Sequence, residues 1–579
     1  MSCMNGRLWI TFNGEIFNYL ELREELIRKG YDFATCSDTE VILNSYREYG
    51  ERCVDHFNGQ WAFAIWDQDR QSLFLSRDRL GVRPLFYCKT GDGLLFASEI
   101  KALIASGEVS GELDLYALDQ IFTFWVTLPP RTAFREVQQL PPGHSMTLKD
   151  GKLQMWQYWS LSYEEAEDLC DCSEKKLAED LLNLALDATR IRLRSDVPVG
   201  AYLSGGIDST FIAALAKPLV NENLRTFSVA FEDTEYDESP YQRTAIDYLG
   251  TKHSEVRCGN GDIARTFPDV IRHTEQPVIR TAPAPLYILA KLVRENGFKV
   301  VLTGEGADEI LGGYDIYKEA KIRQFWARQR DSKWRPLLLK RLYPYMEGMH
   351  RQSAVYFKNF FYVASDDVNS PFFSHMPRWQ LTAKLKMFFS AETQAALKDY
   401  DALDDITRML PAQYFAYRPF ARAEYLETVF LLPGYILSSQ GDRMAMAHSV
   451  EARFPFLDYR MVEFAAKLPP PLKMKVLDQK HLLKIASNGL IPEVIRKRPK
   501  QPYRAPDGKC FFGKGEPDYV KEVLSEDSIR KTSIFDPALV SALIKKFRQG
   551  HALGTKDNMA LVGILSTQLL VDKFTMKRG

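Results

Sequence analysis

No stretch of this sequence reaches the ~20 consecutive apolar residues that a membrane-spanning helix needs, and no signal-peptide pattern opens it. A cytoplasmic location is the expectation. Excess charge of either sign is also missing, since 75 Lys and Arg face 75 Asp and Glu. Obligatory nucleic-acid binding needs a concentrated positive surface, so that function class is disfavoured, and Arg496-Lys497-Arg498 reads as a solvated helix end. Eight cysteines are scattered over 579 residues with no C-x-x-C pair, which argues against a disulfide framework and against a zinc site. Repeats and low-complexity tracts are absent too. What is present is an ordinary globular composition, 45% hydrophobic and 26% charged, in a chain long enough for two or more cores.

Two patterns divide the chain. Residues 1–160 are dense in short strands and turns: "QWAFAIWD", "SLFLSRD", "PLFYCKTGDGLLFASE" and "HSMTLKDGKLQMWQYW" alternate with Gly and Asp, and "KTGDG" and "LKDG" are hairpin signals. An antiparallel β-rich domain is expected there. An acidic stretch, 162–176, reads as a linker. From 177 to 579 the period changes: "KLAEDLLNLALDATRIRL" is an amphipathic helix, and "VPVGAYL", "LRTFSVAF" and "FKVVLTG" are apolar strands between helical segments. Alternation of this kind predicts a doubly wound α/β sheet. Aromatics such as "FKNFFYV" and "MFFSAET" in the helical region 315–430 are expected to fill a core.

The strongest chemical signal is "VPVGAYLSGGIDSTFIAALA" (197–216). A strand ends at Leu203, the turn Ser204-Gly205-Gly206-Ile207-Asp208-Ser209 follows, and a helix starts at once. Glycines admit an anion to the backbone, hydroxyls donate to it, and the helix N-terminus aims unpaired N–H groups at the same place. The turn is a phosphate cradle without the lysine of a Walker loop. A second turn, "VVLTGEGADEILGGY" (300–314), ends another strand and should share the crevice. It brings Glu305, Asp308 and Glu309, which would repel a nucleotide unless a divalent cation such as Mg²⁺ lies between.

Together, "SGGIDS", "TFSVAFEDTEYDES", "LTGEGADEILGGY", "DRMAMAHSVEARFPFLD" and "DQKHLLK" resemble the glutamine-hydrolysing asparagine synthetases. "NGEIFNY", "SDTEVIL", "SRDRLGVRPLFY", "FASEIKAL" and "LPPGH" resemble the glutaminase half of the same enzymes, so the likeness spans essentially the whole chain. It implies a truncated Ntn-type glutaminase (class II amidotransferase) domain over 1–160. A pyrophosphatase-type ATP domain with a helical C-terminal part would follow over 177–579. The implied reaction converts aspartate, ATP and ammonia to asparagine, AMP and pyrophosphate through an acyl-adenylate. Carried onto this chain, Ser204, Gly205, Gly206 and Ser209 would hold the departing pyrophosphate, and Asp208 and Asp308 would bind Mg²⁺. Leu203 and Val229 would flank adenine, with Gly304 against the nucleotide. Glu305 would take a proton from ammonia, and Lys480 would stabilise charge at phosphorus and on the acyl oxyanion. Asn13 and Gly14 would form an oxyanion hole for glutamine, and Asp38 would pair with its ammonium. A homodimer is among the partners to be expected, alongside small-molecule substrates.

Two departures matter. The family's cysteine nucleophile, an arginine for the glutamine carboxylate and the first strands would precede Asn13, and the roughly ten, mostly extended, residues between Asn13 and Cys3 or Ser2 point those two away from the hole. The expectation is therefore a strand, Leu8–Phe12, broken by Asn13-Gly14-Glu15, that lacks sheet neighbours and leaves Trp9 and Ile10 uncovered, with glutamine used only if an upstream extension restores the nucleophile. Gln440 and Gly441 stand before "DRM", where many members carry a Lys, which opens the identity of the acceptor. The loop "RPKQPYRAPDG" (498–508) is either a plain surface loop or a flap over the site. Rival readings are an amide or lactam synthetase for another carboxylate, an RNA-modifying relative, and a catalytically dead regulatory paralogue.

Overall fold

The computed structural model describes residues 1–575 apart from 92, 165–171, 222, 346–359, 363–366, 514 and 552–553. Its first layer is antiparallel. The strands are β1 (Ser2–Cys3), β2 (Leu8–Ile16), β3 (Gly59–Asp67), β4 (Ser72–Arg77), β5 (Phe86–Thr90), β6 (Gly93–Ala97), β7 (Gln138–Gln139), β8 (His144–Lys149) and β9 (Lys152–Gln157). One sheet runs β1-β2-β3-β4-β8-β9, and a second runs β6-β5-β7. Asp150 and Gly151, both at positive φ, join β8 to β9 in a two-residue hairpin loop.

β2 differs from its expected form. It runs unbroken through Asn13 and Gly14 to Ile16, paired with β3 over its full length and with β1 at two residues. Gly14, at φ +150°, lets β3 come so close that a Cβ there would stand 2.0 Å from the Gln60 carbonyl. The glycine thus serves a tight strand contact and not a turn. Ile10 is buried against the layer's core, contrary to expectation, while Trp9 remains 54% exposed. Behind the sheet pack α1 (Tyr19–Arg28) and α2 (Asp38–Tyr49).

The second layer is a parallel sheet of β10 (Val199–Tyr202), β11 (Arg225–Phe231), β12 (Lys252–Cys258), β13 (Val300–Leu302) and β14 (Glu451–Arg453), ordered β12-β11-β10-β13-β14. The chain leaves β10 toward β12 and then returns to place β13 on β10's other side. The order therefore reverses between β10 and β13, where a parallel sheet opens its ligand crevice. α3 (Glu174–Arg192), capped by Ser173, leads into this layer, and α4 (Ile207–Leu219) follows β10. Phe388 and Phe389 are core residues, Phe389 lying 5.2 Å from Phe122 and 5.8 Å from Phe535. Of "FKNFFYV", residues 357–359 and 363 lie outside the described residues, as do residues 165–171 of the expected linker.

The layers meet through buried polar contacts. Arg83 binds Asp442 at 2.6 Å and Glu451 at 2.9 Å, and Asn58 donates to Asp458 at 2.8 Å. Gln60 donates to the Ala452 carbonyl, and Glu15 faces Arg453 at 3.3 Å. The edge strand β14 thus ties the parallel sheet to the antiparallel one.

Candidate functional site

The turns after β10 and β13 flank that crevice. After β10, Leu203 is buried, its N–H held by the Phe227 carbonyl, and Ser204 is exposed at the mouth. The Ser204 N–H donates to Ser209 Oγ at 3.1 Å, the two hydroxyls meet at 3.0 Å, and Thr210 Oγ1 donates to the Gly206 carbonyl. Gly205 sits at φ +75° with helix residues Tyr241 and Gln242 2.7 Å from where a Cβ would stand. The turn is folded against its own hydroxyls, which leaves the N-terminal N–H groups of α4 facing the crevice.

Gly304 packs against this turn, since a Cβ there would lie 2.6 Å from the Ser209 nitrogen. Asp308, four residues on, is therefore brought beside Asp208. Lys480, nearly 300 residues from Asp208 in sequence, enters at φ +53° immediately before α5 (His481–Ala486), where it is buried and not solvated. Its Nζ lies 2.5 Å from Asp208 Oδ2 and 2.5 Å from Asp308 Oδ1. Gly313 makes room for it, because a Cβ there would stand 2.2 Å from the lysine Cε.

A second ammonium was not among the sequence candidates. Lys500 Nζ lies 2.5 Å from Asp308 Oδ2 and 4.0 Å from Asp208 Oδ2. It comes from the loop 498–508, whose Arg498, Pro499, Lys500, Gln501 and Tyr503 line the crevice beside Ser204, Gly206, Asp208 and Lys480. Arg498, read from sequence as part of a solvated helix end, donates to Glu238 at 2.6 Å and stacks 3.7 Å from the Tyr241 ring. The proline-broken composition of this loop was the available signal; the place of its lysine was not.

Burial pushes both aspartyl groups up and the ammoniums pull them down. Asp308, gripped by both lysines, ends below its ordinary value, while Asp208, with one close ammonium, ends above it. Asp308 raises Lys500 against the effect of burial. Burial raises Glu305, opposed by its bond with Thr303. Glu309 departs from the expected trio: burial and then Asp308 push it up to about 8, and it accepts a hydrogen bond from Tyr314 at 2.7 Å. Asp208 Oδ1 is shut from solvent and has no partner. Val229 lies on β11 with its carbonyl held by Gln242.

The second set of candidates lies on the edge of β2. Asn13 Nδ2 donates to Ser98 Oγ at 3.1 Å, and Asp38 accepts the Ile16 N–H at 3.0 Å, two residues beyond Gly14. Burial raises Asp38. Cys3 pairs with Leu8, five residues before Asn13, roughly 17 Å along the strand, and burial raises its thiol.

Comparison with known proteins follows this geometry. A family model described as asparagine synthase matches residues 180–572, and one described as glutamine amidotransferase domain matches residues 1–159. "Asparagine synthetase [glutamine-hydrolyzing] 1" of Bacillus subtilis is 33% identical over 86% of this chain and 76% of its own length. "Asparagine synthetase [glutamine-hydrolyzing] 3" of the same organism is 31% identical over 90% and 80%. "Amidase chyE" of Penicillium rubens is 28% identical over 94% and 84%.

Proposed function

The chain belongs to the asparagine synthase family, an ATP-using ligase family, and from that premise we propose that it converts aspartate and ammonia to asparagine, splitting ATP into AMP and pyrophosphate. The observation that carries this reading is the meeting of Asp208, Asp308 and Lys480 at the crevice between β10 and β13. The work divides between an amidotransferase part, 1–160, and a pyrophosphatase-type part, 177–579.

ATP lies with its phosphates on the N-terminus of α4, against Ser204, Gly205, Gly206 and Ser209, and with adenine between Leu203 and Val229. Gly304 keeps the two turns close enough for one nucleotide to touch both. The side-chain carboxylate of aspartate attacks the α-phosphorus, and the bond to pyrophosphate breaks. Lys480 meets the negative charge that grows there and, afterwards, on the acyl oxygen. Ammonia then attacks the acyl carbon and AMP leaves. Glu305 takes the ammonium proton, a task suited to a carboxylate raised by burial.

Mg²⁺ fits the residues present. Asp208 Oδ1 is orphaned, and no cluster of three or more ligating side chains occurs among the described residues, so two carboxylates would share the ion with phosphate oxygens and water. Asp208 and Asp308 would hold it, and it would offset charge on the leaving pyrophosphate. Glutamine would supply nitrogen through Asn13, Gly14 and Asp38 only when a thiol is brought beside them, because Cys3 is too far away. Pyrophosphate release from Mg-ATP, with asparagine identified as product, tests the reading. Release that ignores aspartate would sink it. A second reading, amide formation on another carboxylate, is favoured by the buried neutral Gln440 and by the likeness to the fungal amidase.

A further inference from the structure

The loop that lines the crevice, and a helical run near it, carry donors with nothing to bond. The hydroxyls of Tyr503 and Tyr435 are shut from solvent and have no partner, and the same is true of Arg504 Nε and Nη2. Tyr503 lines the crevice beside Asp208 and Lys480, its ring 6.4 Å from that of Phe231. Tyr435 projects from the helical run Glu427–Asp442 that also carries Gln440. The Arg504 guanidinium lies 5.3 Å from the ring centres of both Tyr236 and Tyr345, and its remaining nitrogen reaches Glu235 at only 3.5 Å. Nearby acceptors are engaged: Glu238 by Arg498 and Asp507 by Arg280 and Thr281.

Buried hydroxyl and guanidinium groups without partners cost free energy, and that cost is relieved when a ligand supplies oxygen acceptors. Tyr503, Tyr435 and Arg504 can all donate, and one carries positive charge. The complementary group is a carboxylate. Burial raises both phenols well above their ordinary range, Tyr503 with Glu238, Tyr435 and Glu305 close by, so they remain protonated donors at neutral pH.

We propose that Tyr503 and Arg504, facing Tyr435, read the second carboxylate of a dicarboxylic acceptor, and that this loop supplies the positive charge which Gln440 does not. The inference rests on the adenylation reading and names the residues that choose its substrate. None of the three touches the reacting atoms; they fix which acid is held in place for attack.

The test has two arms. In pyrophosphate release, Arg504→Gln should raise the aspartate KM by ~10–100-fold, and Tyr503→Phe by ~10-fold, with the ATP KM and kcat at saturating aspartate unchanged. The wild type should discriminate against 3-aminopropanoate, which lacks the second carboxylate, and Arg504→Gln should narrow that gap. In calorimetry, aspartate and succinate should bind the intact protein loaded with a non-hydrolysable ATP analogue, and Arg504→Gln should weaken both. Tyr503→Phe removes a single oxygen, so it keeps the test alive if the arginine variant misfolds. Unchanged aspartate KM in both variants, or equal use of 3-aminopropanoate by the wild type, overturns the inference. If some other acid releases pyrophosphate while no dicarboxylate binds, the inference falls and adenylation stands. Dicarboxylate binding that needs Arg504, without turnover of any acid, supports the inference and removes the adenylation reading.

Discussion

The β10/β13 crevice and the edge of β2 both gather carboxylates and backbone N–H groups, yet they handle charge differently. In the crevice, Asp208 and Asp308 are buried together and balanced by Lys480 and Lys500, which arrive from far along the chain. On the β2 edge, Asp38 and Asn13 are half-buried and satisfied by neighbours, a backbone N–H and a serine hydroxyl. The first arrangement holds its charges against a large desolvation cost and so fixes them in place; the second leaves polar groups near solvent with modest bonds. Preorganised charge belongs where charge develops in a reaction, which is why the proposed phosphoryl chemistry is put at the crevice.

The contrast can be broken at its strongest point first. Arg83→Met would strip Asp442 and Glu451 of a buried partner at the junction of the layers and should cost ~3–5 kcal/mol in urea unfolding. A loss below ~1 kcal/mol would mean that water reaches the pair and that the junction is not a dry one. Next comes catalysis: Asp208→Asn or Lys480→Met should lower aspartate-dependent pyrophosphate release by ~10²–10³ with the circular dichroism unchanged. Wild-type release in either variant would remove the crevice from the mechanism.

Gly304→Ala sharpens the same point by geometry alone. A methyl group 2.6 Å from the Ser209 nitrogen must part the two turns, and a displacement near 1 Å should cost ~10²-fold in rate without altering any charge. Rates close to wild type would show that the turns act independently. On the other side of the comparison, Asn13→Ala and Asp38→Asn should leave ammonia-dependent synthesis unchanged, read as asparagine formed at saturating ammonium. A large fall there would mean that the β2 edge supports the crevice directly.

The remaining test is a pH slope. Glu309 is raised from 4.5 to about 8, so between those values the folded chain holds a proton that the unfolded chain has released. The stability this proton carries is complete below about pH 4.5 and is lost as pH rises through about 8. Wild type should therefore lose more stability than Glu309→Gln when urea unfolding is compared at about pH 5 and about pH 9. Parallel slopes would place Glu309 among the ionised carboxylates of the crevice after all.

Much of this molecule is legible in one dimension. The period of apolar residues marks the strands of both layers; Asp150-Gly151 marks its hairpin, and Ser204-Gly205-Gly206 marks the tight turn from strand to helix, because each depends on residues within a few positions of one another. Asn13-Gly14 misleads for the same reason. Its local signal is a break, and only the approach of Gln60 turns Gly14 into part of a continuous strand.

What tertiary structure alone decides is the balance of charge. The three acids of "GEGADE" look alike in sequence, yet the fold sends Glu309 to Tyr314, where it keeps its proton, and leaves Asp308 between two ammoniums. Lys480 and Lys500 lie in segments whose local pattern says only helix start and loop. Their roles come from the parallel sheet, which reverses its order beside β10 and so opens one crevice where segments from 208, 308, 480 and 500 converge. Local pattern records what a residue does to its own backbone; the energy of a buried charge depends on which partner the whole chain brings to it.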